Sequence, residues 1–237
     1  MIYAVSDIHG CYAKYKKLLE TIILEPEDTL YVLGDVIDRG SDGFKIMLDM
    51  AQRFNVVNLM GDHEAMAINA LPRVVDAIKQ GKETALVEEN EDALELWFSN
   101  GGELSLADFL CLDNKQEKVV WEYMRRMPLY KELEVTGRKF VLLHGGLENF
   151  SPDRSLLDYA PREILWCRPE PDTVYYPNRY VVFGHTPVQH LDPCGNPEDV
   201  PAKIYHGDHI IDIDCGCVFP NGQLGCLCLD TMEEFYV

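Results

Sequence analysis

Apolar and polar positions follow two alternating patterns along the chain: short apolar runs, and longer segments with helical spacing. The short runs are rich in Val, Ile, Leu, Tyr and Phe, a composition typical of buried strands. They lie at residues 2–5, 29–33, 56–60, 140–143, 180–183, 210–213 and 225–229. The longer segments predict helices at residues 11–23, 42–54, 92–99 and 115–126. This alternation of strands and helices predicts the α/β class.

One face of the second predicted helix is apolar and should point to the core. Its residues are Phe44, Met47, Leu48 and Ala51. Residues 65–128 carry helical patterns and no convincing strand, so we interpret them as a helical insertion beside the sheet. Residues 159–178 and 195–201 predict loops, because they are rich in Pro, Arg and turn residues. No repeat or linker divides the chain, and we expect a single domain over residues 1–237.

Composition and charge narrow the class of protein. Hydrophobic residues make up 47% of the 237 positions, enough for a large core, and no run approaches the ~18 apolar residues of a membrane span. The first residues lack the basic segment of a signal peptide, so we expect a cytoplasmic protein. A net charge of −19 argues against nucleic-acid and anionic membrane partners. A phosphorylated substrate stays compatible, because metal ions and a few arginines can reverse the potential locally.

Four of the eight cysteines cluster near the end of the chain. They are Cys215, Cys217, Cys226 and Cys228. A hairpin could bring their thiols together as a zinc site, but zinc ligands are usually separated by two or more residues. We favour the other interpretation, in which small thiols fill the core of the last two strands.

Acidic, histidine and arginine side chains directly follow five of the predicted strands. In chain order they are Asp7 and His9, then Asp35, Asp38 and Arg39, then Asp62 and His63, then His144, and then His185. Loops at the carboxyl ends of strands carry the ligand sites of open α/β folds. Mixed Asp and His ligands suit manganese, iron or zinc.

Each cluster also has an ordinary explanation when it is taken alone. The pair Asp7 and His9 could be a helix N-cap and a surface histidine, and GDVIDRG could be a turn with a surface ion pair. A lone His144 or His185 could simply be hydrogen-bonded. Their recurrence at successive strand ends favours one shared metal site. Glycines beside the clusters are predicted to supply the unusual backbone angles of such loops. They are Gly10, Gly34, Gly40, Gly61, Gly145, Gly146 and Gly184.

These motifs, in this order, resemble the phosphoprotein phosphatase branch of the calcineurin-like metallophosphoesterases. The blocks are SDIHG (6–10), GDVIDRG (34–40), GDHE (61–64), HGG (144–146) and FGHT (183–186). Further blocks are similar to the compact bacterial and phage serine/threonine protein phosphatases, namely WFSNGG (97–102), LWCR (165–168) and IDIDCGCVF (211–219). The resemblance implies a central β-sandwich flanked by helices, with a helical insertion.

The resemblance also implies a site with two divalent metal ions, manganese being the first expectation and iron or zinc the alternatives. The implied ligands are Asp7, His9 and Asp35 for one ion and Asp35, Asp62, His144 and His185 for the other. Asp35 would bridge the ions, and a bridging hydroxide would attack phosphorus directly, without a covalent phosphoenzyme.

The remaining motif residues take catalytic roles by the same resemblance. Arg39 and Arg168 would hold the non-reacting phosphate oxygens. His63 would protonate the departing alkoxide, with Asp38 orienting and charging its imidazole. Glu64 is expected only at a helix start, without a chemical role.

One position departs from the family, which usually has GNHE where this chain has GDHE. Asp62 keeps an oxygen ligand but adds negative charge. We therefore expect tighter metal binding, a weaker Lewis acid and less attraction for the phosphate.

The sequence supports three functions. A protein serine/threonine phosphatase is the first, favoured by the chain length and the WFSNGG and LWCR blocks. Symmetrical hydrolysis of dinucleoside polyphosphates such as diadenosine tetraphosphate is the alternative. From these two functions we expect the substrate to be a phosphorylated protein or a small phosphoester. A metal-binding interaction module without catalysis is the third. The presence of both arginines and of the pair Asp38 and His63 argues against it.

Overall fold

The computed structural model describes residues 1–81, 91–191 and 202–237. The strands are β1 (Ile2–Val5), β2 (Thr29–Val32), β3 (Val56–Asn58), β4 (Tyr130–Val135), β5 (Arg138–Leu143), β6 (Tyr180–Phe183), β7 (Tyr205–His206), β8 (Ile210–Asp212), β9 (Gly225–Cys228) and β10 (Glu234–Tyr236). The α-helices are α1 (Tyr12–Thr21), α2 (Gly43–Met50), α3 (Asp62–Lys79), α4 (Glu91–Ser99), α5 (Gly102–Leu110), α6 (Asn114–Met124) and α7 (Pro161–Leu165). The loop expected at 195–201 lies outside the described residues.

The strands form two five-stranded sheets. The first has the order β10-β9-β1-β2-β3, in which β1, β2 and β3 are parallel. The second has the order β4-β5-β6-β8-β7, in which β5, β6 and β8 are parallel. The parallel strands are the three central strands of the second sheet, whereas in the first sheet they run from the central β1 to the edge strand β3. Parallel strands end on the same side of a sheet, and loops at their carboxyl ends are where ligand sites are built.

Apolar side chains fill the space between the two sheets and cover their outer faces. Residues of both sheets, such as Ala4, Phe140 and Val182, share the core between the sheets. Phe44 and Tyr15 of the helices pack with Val5 and Val32 on the other face of the first sheet. The prediction of an α/β fold with a central sandwich flanked by helices is confirmed.

The predicted helical insertion begins within α3 and continues through α4, α5 and α6 in the described residues. The predicted helices at 11–23 and 42–54 were too long. Because α2 ends at Met50, Ala51 lies outside the helix and is exposed, which corrects the expected core face. Phe44 and Met47 are fully buried as expected, and Leu48 is half-buried. In the described ranges no helix has the length and apolar character needed to cross a membrane.

Three strands and one helix were not predicted. Strand β4 carries the charged side chains of Lys131, Glu132 and Glu134, which obscure its apolar pattern. It forms a hairpin with β5 through Thr136 and Gly137, whose φ angles are 49° and 79°. Strands β7 and β10 are short edge strands. Helix α7 interrupts the expected loop at 159–178, because Pro161 begins a helical turn.

The four clustered cysteines are buried side chains of the core. Cys215 packs between the two sheets, whereas Cys217, Cys226 and Cys228 pack on the helix-covered side of the first sheet. No cysteine belongs to a potential metal-binding group in the described part of the chain. The arrangement supports core packing over a four-thiol zinc site.

The buried side of α2 gives a stability prediction. Phe44 is 0% exposed and lies edge-on to Phe109, with ring centroids 5.3 Å apart. We expect Phe44→Ala to lower the free energy of unfolding by about 3–5 kcal/mol, because it leaves a cavity. Phe54 is 84% exposed, so Phe54→Ala should stay within about 0.5 kcal/mol of wild type. Urea unfolding of both variants tests this. Equal losses would contradict the assigned core.

Candidate active site

The predicted site residues converge at the edge where the parallel strands of both sheets end. Asp7 and His9 follow β1, Asp35 follows β2, and Asp62 opens α3 after β3. His144 follows β5 and His185 follows β6, so the second sheet supplies imidazoles that face the carboxylates of the first. The side chains brought together there are almost fully buried: Asp7, His9, Asp35, Asp38, Asp62, His63, His144 and His185.

Two groups of potential metal ligands share Asp35. One consists of Asp35, Asp62, His144 and His185, and the other of His9, Asp35 and His63, with the ligand atoms of each group within 4.8 Å of one another. His144 Nε2 lies 3.4 Å from Asp35 Oδ1 and 2.8 Å from Asp62 Oδ1. His9 Nε2 lies 3.7 Å from Asp35 Oδ2. The two oxygens of Asp35 therefore face different groups.

Asp7 lies beside the second of these groups. Its Oδ1 is 4.0 Å from His9 Nε2, and its Oδ2 accepts hydrogen bonds from Ser6 Oγ at 2.5 Å and His185 N at 3.0 Å. His63 Nε2 lies 3.7 Å from Asp35 Oδ2, which is why the geometry groups His63 with His9. The assignment of Asp7 as a ligand and of His63 as an acid stays a prediction.

The histidine rings are oriented by hydrogen bonds to backbone carbonyls. His9 Nδ1 donates to Ile37 O at 2.8 Å, and His144 Nδ1 donates to Leu33 O at 2.7 Å. Both rings therefore turn Nε2 toward the carboxylates, as metal-binding histidines do when the other nitrogen is held by an outer partner. His185 Nδ1 lies 3.0 Å from Asp62 Oδ1, and its buried Nε2 has no hydrogen-bond partner among the described residues.

The buried carboxylates perturb one another strongly. Burial, and then the charges of Asp62 and Asp7, raise the pKa of Asp35 well above its usual range. Burial lowers the pKa of His144, but the hydrogen bond to Asp62 and nearby carboxylates outweigh it and raise that pKa to about 9. Burial raises the pKa of Asp62, but hydrogen bonds from His144 and His185 hold it far below its usual range. The site thus concentrates negative charge that bound cations would offset.

The donor set fits divalent cations. It offers carboxylate oxygens and imidazole nitrogens, it is screened from water, and one buried imidazole nitrogen has no partner. Burial, followed by the charge of His63, lowers the pKa of His9 well below its usual range and keeps the ring in the neutral form that binds metals. These residues would hold the two ions.

The backbone at the site is held in an unusual conformation. Asp7, His9, Asp35, Asp38 and His185 have positive φ angles of 48°, 45°, 55°, 67° and 69°. Such left-handed angles are uncommon for residues other than glycine, and they cluster at functional sites. The predicted site residues themselves therefore make sharp turns that the sequence suggested for the glycines.

The glycines beside the clusters serve mainly close approach, which corrects the expectation for most of them. Only Gly10 and Gly34 among them have positive φ angles, of 67° and 95°. A Cβ atom on Gly61 would lie 2.2 Å from Asp35 Oδ1. Any side chain at position 61 would therefore displace the shared carboxylate.

Glu64 has a structural part in the site that the sequence did not reveal. Its carboxylate accepts hydrogen bonds from the backbone N–H groups of Asp35 at 2.9 Å, Val36 at 2.8 Å and Ile37 at 3.3 Å. It also accepts from Gly61 N at 3.1 Å. Glu64 thus fixes the loop that carries Asp35, and the expectation of a carboxylate that only starts a helix was incomplete.

The predicted catalytic side chains surround the two groups. His63 Nδ1 donates to Asp38 Oδ2 at 2.7 Å. Arg39 Nη1 donates to His9 Nε2 at 2.8 Å, so its guanidinium reaches the group formed by His9, Asp35 and His63. Arg168 Nη1 donates to His185 O and Thr186 Oγ1, both at 3.0 Å. The two arginines therefore lie beside different ends of the site.

Two further buried carboxylates near the site were missed. Asp212 ends β8 and Asp214 lies two residues beyond it, and both are buried. No site residue was assigned to the strand predicted at 210–213 or to the last one at 225–229. Burial raises the pKa of both carboxylates well above the usual range, and the charge of Asp7 adds to the shift of Asp214. Their position after a strand was the available signal, but IDIDCGCVF was interpreted only as part of a closing strand pair.

The comparison with protein families decides the identity at the family level. The profile of the calcineurin-like phosphoesterases matches residues 1–211. The chain belongs to this family. The resemblance drawn from the sequence motifs is confirmed, and the protein is a metal-dependent phosphoester hydrolase.

Within the family the chain is similar to enzymes with two kinds of name. It is 24% identical to the symmetrical bis(5'-nucleosyl)-tetraphosphatase of Baumannia cicadellinicola subsp. Homalodisca coagulata over 236 residues, covering 98% of this chain and 69% of the relative. It is 28% identical to serine/threonine-protein phosphatase 2 of Salmonella typhimurium over 174 residues, covering 70% of this chain and 67% of the relative. A solved structure provisionally assigned as a diadenosine tetraphosphatase shares the fold, with a TM-score of 0.63, 19% identity and coverage of 100% of this chain and 92% of that one.

The shared carboxylate gives a prediction for this calcineurin-like phosphoesterase. Because repulsion and burial disfavour the charged form of Asp35, Asp35→Asn should raise the free energy of unfolding of chelator-stripped protein by about 1 kcal/mol or more. The same variant should lose the stabilisation that manganese gives wild type, since both groups need this carboxylate.

Thermal unfolding with and without manganese measures both effects. The exposed Asp153→Asn is the control and should behave as wild type. Manganese stabilisation retained in Asp35→Asn would contradict the shared-ligand assignment.

Proposed function

We propose that the protein hydrolyses phosphate monoesters of serine and threonine in phosphorylated proteins, in one displacement without a covalent phosphoenzyme. The observation that carries this proposal is the buried pair of His63 and Asp38, whose 2.7 Å hydrogen bond fixes an imidazole beside Asp35. When bound, the two cations supply positive charge to the phosphoryl oxygens and make hydroxide available near neutral pH.

The arginines hold the phosphate in this proposal. Arg39 extends to His9, and Arg168 is tied to the loop of His185, so guanidinium groups approach the site from two sides. Their donors suit the non-reacting phosphate oxygens, which carry the charge of the substrate through the reaction. Because the whole chain is acidic, at −19, these local charges also offset the repulsion of an anionic substrate.

His63 supplies the proton to the leaving oxygen. Its Nδ1 donates to Asp38, which leaves Nε2 directed at the reaction site, 3.7 Å from Asp35 Oδ2. An alkoxide leaving from serine or threonine is a strong base and needs that proton in the transition state. A nucleotide leaving group is a much weaker base and needs it less. A preformed acid therefore supports an alkoxide as the leaving group.

Symmetrical hydrolysis of dinucleoside tetraphosphates is the second candidate. It is favoured by the names of relatives such as the Baumannia enzyme, which aligns over 98% of this chain. The metal groups and both arginines would serve this reaction equally well. The two candidates differ in the leaving group, and this difference makes them separable by experiment.

The substrate is tested with chelator-stripped protein supplemented with manganese, assayed with a phosphoserine peptide and with diadenosine tetraphosphate. We expect manganese-dependent phosphate release from the peptide at the higher kcat/KM. A higher kcat/KM for the dinucleotide, with nucleoside diphosphate as product, would move the assignment to the second candidate. Absence of turnover with both, at two bound metals per chain, would contradict the hydrolase mechanism.

The acid role is tested with His63→Asn. We expect turnover of the phosphoserine peptide to fall about 10²- to 10⁴-fold, because the proton donor is lost. Metal content should stay at the wild-type value, since His63 is assigned as an acid and not as a ligand. His206→Asn is the control, because His206 is exposed and paired with Glu234 on β10. Loss of one metal in His63→Asn would instead make His63 a ligand.

A further inference from the structure

A buried tryptophan from the helical insertion contacts the proposed proton donor system. Trp97 lies on α4, and its side chain is 0% exposed. Its indole Nε1 donates to both oxygens of Asp38, at 3.1 Å to Oδ1 and 2.9 Å to Oδ2. A single N–H is thus shared across the carboxylate that also accepts from His63. The indole does not itself reach the reaction site.

The side chains of Trp97, Asp38 and His63 form a hydrogen-bonded chain with Asp38 in the middle. Trp97 donates to Asp38, and His63 donates to Asp38 Oδ2 at 2.7 Å. Among the hydrogen bonds of the described residues, Oδ1 of Asp38 has no donor other than the indole. Because Asp38 is fully buried, an oxygen without a donor would be strongly unfavourable. The indole therefore fixes the plane of the carboxylate, and this plane fixes the imidazole.

The indole is closely packed by the neighbouring helix α5. Gly102 lies against the face of the ring, where a Cβ atom would come within 2.6 Å of it. Ser105 Oγ, three residues further along α5, accepts the backbone N–H of Asp38 at 2.8 Å. Helices α4 and α5 thus bind the Asp38 loop through two side chains, the donor Trp97 and the acceptor Ser105. This gives the WFSNGG block a physical role.

We propose that Trp97 is a positioning residue for leaving-group protonation, acting through Asp38 on His63. This inference rests on the proposed acid role of His63. Trp97 holds no phosphate and no metal ligand, so its removal should leave both kinds of binding unchanged. Its effect should appear only where the leaving group needs a proton, and only while His63 is present.

The leaving group provides the test. Trp97→Phe keeps a ring in the pocket and removes the N–H. We expect kcat for a phosphoserine peptide to fall about 10- to 100-fold, the range for loss of a supporting hydrogen bond behind a functional group. KM and metal content should not change. For p-nitrophenyl phosphate, whose leaving group departs without a proton, kcat should change less than about threefold.

Two controls separate positioning from a general structural effect. Trp121→Phe on α6 changes an indole that packs on Phe109 away from Asp38, and it should leave both substrates unaffected. The double variant Trp97→Phe with His63→Asn should be no slower on the peptide than His63→Asn alone, because the two residues act as one unit. If Trp97→Phe does not fold, β-(3-benzothienyl)alanine at position 97 keeps the bicyclic shape and replaces N–H by sulfur.

The outcomes distinguish this inference from the proposed function. If His63→Asn retains full peptide turnover, the acid role itself fails, and the inference fails with it. If His63→Asn is impaired and Trp97→Phe is not, only the inference is overturned. Equal losses on the two substrates, or additive losses in the double variant, would also overturn it, because they would show a structural role.

Discussion

The structure depends on a concentration of buried negative charge at one edge of the sandwich. Asp7, Asp35 and Asp62 are each at most 4% exposed and meet around His144 and His185. Carboxylates gathered in a low-dielectric interior repel one another and lose their hydration, so each needs a donor or a cation. The hydrogen bonds from Ser6 to Asp7 and from His144 to Asp62 are direct consequences. Divalent cations held by these residues would complete the compensation of charge.

Hydrogen bonds made by residues of the site also join the two sheets. His144 follows a strand of the second sheet and donates to Leu33 O at the end of a strand of the first. The backbone N–H of His185 donates to Asp7 in the same way across the sandwich. Helix α3 begins at Asp62, so the positive end of its dipole faces the carboxylates. The hydrogen bonds that orient these side chains in the site are therefore also contacts between the two sheets.

The helical insertion contacts the loop that carries Asp38 and Arg39, beside the buried carboxylates. His63, the proposed acid, lies next to Asp62 on α3, but its partner Asp38 is held by Trp97 and Ser105 from α4 and α5. Arg39 N also donates to Gly101 O, between these two helices, at 3.1 Å. The insertion thus contacts the loop that carries both Arg39, the proposed phosphate-binding residue, and Asp38, the partner of the proposed proton donor. Changes in its packing should affect protonation of the leaving group before they affect metal binding.

The sequence allowed the sandwich and the convergence of the site to be predicted, because short apolar strands ending in Asp or His leave a local signal. Contacts between residues far apart in the sequence leave no such local signal. Trp97 and Asp38 are 59 positions apart, and nothing in their spacing indicates a hydrogen bond. Glu64 looked like an ordinary helix-start carboxylate, because its partners at Asp35 and Val36 belong to another loop. Strand β4 was missed because charged side chains cover an exposed edge.

The most direct test of the central claim is a crystal structure of the manganese-loaded protein with anomalous scattering recorded at the manganese edge. The account predicts two anomalous peaks about 3.5–4 Å apart with the Asp35 carboxylate between them. One peak should lie beside His9, and the other beside His144 and His185. A single peak, or peaks that do not contact Asp35, would contradict the shared carboxylate on which the account of this site depends.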